Sequence, residues 1–141
     1  MNWLTTPAPV LAVSTATLLV RVVVGAAFVL HGWPKIQNPT GWMGGGTDTP
    51  PGFMQAAAAG LEVCGGVLLA LGLLTRVAAV GLAGVMVGAL VLYHAPQNTP
   101  FVSTGGPSWE LTAVYLTVML LMAATGPGAW SLDAALFRRR R

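Results

Sequence analysis

Five side chains in this sequence are suited to move a proton or hold the polar end of a ligand: His31, Lys35, Glu62, His94 and Glu110. Each sits within or at the edge of an apolar run, where a polar group is costly unless it has a partner or a task. Wound as helices, the runs align them. Arg21, Gly25, Phe28, Gly32 and Lys35 share one face, with His31 on its shoulder. Gln55, Ala58, Glu62, Gly66 and Leu69 share another, and Glu110, Val114, Thr117 and Leu121 a third. Glu62 and His31 are the candidate proton carriers. His31, Lys35, Phe28, Trp33, His94, Trp109 and Glu110 are the candidate ligand-binding residues, gathered near one depth around an outward-facing pocket.

Arg21 and Glu62 are expected to form a structural ion pair. With Trp33 and Met54 taken as the outer edge, Glu62 lies ~12 Å deep and Arg21 ~18 Å deep, at ~1.5 Å per helical residue. An arginine side chain spans that offset. Plainer roles stay open beside these. Arg21 can snorkel to an interface, Lys35 can anchor at one, and His94 can bond a carbonyl at a helix end. Cys64 can be simple packing.

Two histidines without a spaced partner and one cysteine make no metal-site motif, and none is expected. Gly44-Gly45-Gly46 lacks the Lys-Ser/Thr of a phosphate loop. No serine triad or metalloprotease motif is present.

The elements that must position these residues follow from composition. Of 141 residues, 55% are hydrophobic and 8% are charged, where a soluble domain carries roughly 25% charge. Mean hydropathy is +0.71. Eleven charged residues cannot coat a soluble globule of this size, so the chain reads as one integral membrane domain, residues 1–141. A span needs about 20 apolar residues. Four stretches qualify, at about 12–33, 54–74, 77–94 and 109–125. They do not alternate as barrel strands do, so they are helices. The first lacks a basic leader and carries Arg21, so it is expected to stay in the mature protein. Small residues, including Gly84 and Gly88 in the third stretch, are expected to let helices approach closely. The fold class is therefore all-α, a bundle of four transmembrane helices.

Four spans put both termini on one side. That side collects Arg76 and Arg138 to Arg141, while the opposite loops hold only Lys35. The excess of basic residues places both termini in the cytoplasm. Ser131 and Asp133 suit the start of a short C-terminal interfacial helix, followed by the basic tail 138–141. That tail favours an anionic lipid surface over nucleic acid as partner. The expected location is a bacterial-type inner or plasma membrane.

The motif Arg21-x3-Gly25-x2-Phe28-x2-His31-Gly32-x2-Lys35 resembles the first helix of DoxX-type membrane proteins. Gly60-Leu61-Glu62-Val63-Cys64-Gly65-Gly66 and Leu71-Gly72-Leu73-Leu74-Thr75-Arg76 resemble their second helix and hairpin. Trp109-Glu110-Leu111 and Gly126-Pro127-Gly128-Ala129-Trp130-Ser131-Leu132-Asp133 resemble their fourth helix and exit. The resemblance runs from about Leu19 to Leu136. It implies a four-helix membrane bundle and redox work at the membrane, with a quinone and a link to oxidative stress. Two readings follow. In one, the chain is a subunit of an oxidoreductase system that binds a quinone-like ligand, alongside a redox partner protein or a second copy of itself. In the other, it is a non-catalytic membrane protein that binds lipid or organises partner subunits.

Overall fold

The computed structural model describes residues 10–45 and 49–137, and Arg138 to Arg141 lie outside the described residues. Among the described residues every regular element is helical. Helix α1 is Val10–Ile36, α2 Gly52–Leu71, α3 Thr75–Ala89, α4 Glu110–Thr125 and α5 Leu132–Phe137. A looser π-helical turn, Leu90–His94, prolongs α3, and the Ala95 amide closes it on the Leu90 carbonyl at 2.9 Å. Counting that turn, α1, α2 and α3 are long and apolar enough to cross a membrane. Helix α4 is equally apolar but has 16 residues, about 24 Å against a hydrocarbon core of about 30 Å.

Helices α1 and α2 pack antiparallel through glycines. A β-carbon on Gly25 would lie 2.6 Å from the Gly66 carbonyl oxygen, and one on Gly32 would lie 2.8 Å from the Glu62 β-carbon. Gly84 and Gly88, expected to serve the same purpose in α3, do not. A β-carbon on either meets nothing within 4 Å. The core is a cluster of Phe28, Leu69, Leu82, Met86, Met119 and Met122 drawn from all four long helices. Large apolar side chains such as Val23, Leu30, Val80 and Leu120 remain exposed, as a lipid-facing surface requires.

The hairpin between α2 and α3 turns on Gly72, whose φ of 68° is left-handed. The Leu73 amide reaches the Leu68 carbonyl at 2.9 Å, and the Gly72 amide reaches that of Leu69 at 3.1 Å. Together these close a Schellman motif. The next element starts badly, since α3 opens on Leu74, also left-handed, with no side chain able to cap it. The cap comes from α5 instead. Asp133 accepts the amides of Leu74 at 2.7 Å and Thr75 at 3.0 Å. Its own amide donates to the Gly72 carbonyl at 2.9 Å. Ser131 caps α5 by accepting the Ala134 amide at 3.0 Å. The start of α1 is stitched to the same end, where Ser14 Oγ accepts the Ala129 amide at 3.1 Å. The described chain therefore begins and ends at one end of the bundle.

Candidate functional site

The polar residues of the bundle divide into two groups, one at each end. At the end opposite α5, the Lys35 ammonium lies 2.6 Å from Glu62 Oε1, with side chains 24% and 4% exposed. Lys35 also sits over the Trp42 ring, 4.6 Å from its centroid, a cation–π contact. Trp42 is held by its indole N–H, which donates to the Gln55 carbonyl at 3.1 Å. The buried Gln55 side chain clamps the loop, donating to the Pro50 carbonyl at 2.8 Å and accepting the Met43 amide at 3.1 Å. Glu62 Oε2 is buried and accepts no hydrogen bond among the described residues.

Two cavities meet at this ion pair. The larger, about 440 Å³, runs between α2 and α3 beneath the Trp42 loop, lined by Ala57, Ala58, Leu61, Gly84, Gly88 and Leu92 among others. Gly84 and Gly88 thus form open floor rather than a helix contact. The smaller, about 150 Å³, lies between α1, α3 and α4 against Phe28, His31, Met86, Thr112 and Tyr115. Lys35, Glu62 and Ala89 border both.

The expected Arg21–Glu62 pair is replaced by Lys35–Glu62. The packed register explains the change: Glu62 lies level with Gly32, eleven residues and about 16 Å along α1 from Arg21. Arg21 lies instead level with Gly72, where a β-carbon would overlap its guanidinium. Fully buried, it donates through Nη2 to the Trp130 carbonyl. The Asp133 carboxyl is nearby. Burial pushes its pKa up, but the Thr75 and Leu74 amides and the Arg21 charge outweigh that and hold it below the usual carboxylate range.

The other candidates scatter. Phe28 is buried and His31 exposed, and both border the smaller cavity. His94 borders neither cavity. Its Nδ1 pairs with the Thr99 hydroxyl at 2.9 Å and its Nε2 with that of Thr112 at 3.2 Å, so its ring binds hydroxyls rather than a carbonyl. Trp109 packs on Phe101 with ring centroids 4.5 Å apart, and Glu110 and Trp33 are exposed, all three away from both cavities. Cys64 is exposed. Among the described residues no three His, Cys, Asp or Glu come together to hold a metal. Trp42, Gln55, Thr112 and Tyr115 were not among the expected ligand-binding residues. Gln55 alone carried a signal, as the polar residue about two turns from Glu62 on the same helical face.

The family profile described as DoxX matches residues 16–95, more than half of the chain. The chain belongs to the DoxX family. Relatives match along nearly their whole length. "Putative oxidoreductase CatD" of Bacillus subtilis is 32% identical over 126 residues, covering 89% of this chain and 90% of that protein. The inner membrane protein YqjF of Escherichia coli is 32% identical over 129 residues, covering 86% and 92%. An uncharacterized membrane protein of Mycobacterium tuberculosis is 34% identical over 137 residues, covering 88% and 83%. No solved structure matches. As a DoxX protein with three helices fit to span, the chain is a multi-pass protein of the inner or plasma membrane.

Proposed function

We propose that this DoxX protein is the membrane-embedded subunit of an oxidoreductase system and holds a quinone-like ligand in the larger groove. The observation that carries this reading is an ion pair with a buried carboxylate, set in the wall of a mostly apolar groove. Its volume of about 440 Å³ falls in the roughly 300–1,000 Å³ range of small-molecule sites. Ala57, Ala58, Gly84 and Gly88 leave room for a flat ring or a prenyl tail, and Lys35 offers a donor to a carbonyl oxygen. Reducing a quinone takes two electrons and two protons. A redox partner supplies the electrons, and Glu62 and His31 carry protons. The name of the Bacillus relative supports the redox assignment. In the same reading α4 also crosses, both termini are cytoplasmic, and both cavities face outward, because Arg76 and α5, which the sequence follows with four arginines, lie at the opposite end from Lys35.

The test is binding of a menaquinone or ubiquinone analogue to the purified protein, read by the quenching of tryptophan fluorescence that Trp42→Phe removes. Saturable binding is expected. Gly88→Leu, which fills the groove from a position with free space around it, should weaken it. Glu62→Gln should weaken it about tenfold to a hundredfold, the worth of a charge-assisted hydrogen bond network at roughly 1.5–3 kcal/mol. Absence of saturable binding, or equal affinity in both variants, overturns the quinone reading. Equal competition by a phospholipid would transfer the groove to a lipid and leave the scaffold role.

A further inference from the structure

We infer that the smaller cavity is a water-filled chamber through which Glu62 exchanges protons with the outer surface, on the opposite wall from the ligand groove. The inference rests on the proposed role of Glu62 as proton carrier, and adds the route by which its proton arrives.

Three observations support it. Glu62 borders both cavities, and its carboxylate is only half used. Oε1 is engaged by Lys35 at 2.6 Å, while Oε2 is buried without a hydrogen-bond partner among the described residues. A buried carboxylate oxygen left bare costs several kcal/mol, and water is the usual remedy where space allows. The space is there: about 150 Å³ accommodates several waters at roughly 30 Å³ each.

The two linings also differ in kind. Five of the nine residues around the chamber, His31, Lys35, Glu62, Thr112 and Tyr115, carry a side-chain group with an exchangeable proton. Around the groove the count is five of seventeen, with Lys35, Trp42, Gln55, Glu62 and Tyr93. Water is held where polar partners are dense, so it collects in the chamber while the groove suits an apolar guest.

The chamber has a way out. His31 borders it and is exposed about 8 Å from the end of α1, close enough to the interface for its imidazole to stand between the chamber and the outside. Tyr115 lies edge-on to His31 with ring centroids 6.2 Å apart. Thr112 joins the chamber to His94 at 3.2 Å, and His94 joins Thr99 in the outer loop at 2.9 Å. The groups facing Glu62 are thus Lys35 and His31 from α1 and Tyr115 from α4, with His94 behind Thr112. Helix α3 contributes only Met86 and Ala89, neither of which titrates. In the inward transfer, a chamber water hands one of its protons to an Oε2 lone pair, forming the carboxyl O–H bond, and the electron pair left on that water takes the proton of His31 or of the Thr112 hydroxyl, which His94 reprotonates. The outer surface then returns a proton to the imidazole.

The test needs no quinone. The purified protein in lipid is moved from H₂O to D₂O buffer at a pH where the Glu62 carboxyl is protonated. Its infrared C=O band, assigned by its loss in Glu62→Gln, is followed in time. Thr112→Val and His31→Phe combined should slow the band's shift at least tenfold, and each alone by less, with the amide bands confirming an intact helical fold. Gly88→Leu should leave it unchanged. Slowing by Gly88→Leu alone would route the proton through the groove and overturn the chamber. So would an unaltered rate in the combined variant. If wild type binds no quinone analogue while the combined variant still slows exchange, the ligand reading fails and the chamber stands. If the combined variant alters analogue affinity but not exchange, the chamber fails and the ligand reading stands.

Discussion

Lys35 and Glu62 do not depend on each other equally. The ammonium ends a flexible stem one residue short of the α1 terminus and is a quarter exposed, so it can reach the interface without its partner. Glu62 sits mid-helix in α2, almost fully buried, and has nowhere to go. Lys35→Ala should therefore cost up to roughly 3 kcal/mol, the lower bound for stranding a buried charge, and Glu62→Ala clearly less. Thermal unfolding in mild detergent reads both, and the double variant should lose less than the sum. Strict additivity would mean the pair contributes nothing. Residue types alone pointed to Glu62, His31 and Lys35 as a group with chemistry. They could not say which basic residue Glu62 would choose, because that depends on how far α1 slides along α2. The slide is set by Gly25 against Gly66 and Gly32 against Glu62; the glycine faces show in each helix alone, but which glycine meets which residue does not.

The same glycine type does opposite work in different helices, and this separates two sets of variants. Gly25→Ala or Gly66→Ala places a β-carbon within 2.7 Å of a backbone oxygen on the facing helix. The α1–α2 pair must then spread, and the melting temperature should fall by several degrees. Gly84→Ala and Gly88→Ala meet nothing. They should hold or raise the melting temperature, since alanine is favoured over glycine in a helix by up to about 1 kcal/mol. A loss at Gly88 as large as at Gly25 would mean that α3 packs on another helix there. The helices themselves were plain in the sequence, because long apolar runs bounded by Gly and Pro permit little else. The cap on α3 was hidden for the opposite reason. Nothing near Leu74 announces a carboxylate supplied from α5, and Asp133 looked like an ordinary first-turn acid of its own helix.

At the scale of the whole molecule the prediction is an orientation. In a Cys64→Ser background, a cysteine at the exposed Thr104 should react with an impermeant maleimide in intact cells. One at the exposed Leu136 should react only after lysis. The reverse pattern would invert the protein, and equal labelling of both would mean that α4 does not cross. Composition made the membrane legible, whereas the two cavities come from how four helices lean together, which no single run encodes. The Arg21 contact has a further consequence, in the order in which the protein is made. Arg21 enters the membrane with the first helix, but the carbonyl that receives its guanidinium belongs to Trp130, 109 residues later. Throughout most of synthesis the first helix carries a charge without a seat. A ribosome that stops before Trp130 releases a chain that holds α1 to α4 but lacks α5, and in which Arg21 is still unclaimed. The stretch around Trp130 thus settles a charge that the membrane has held since the first helix entered it.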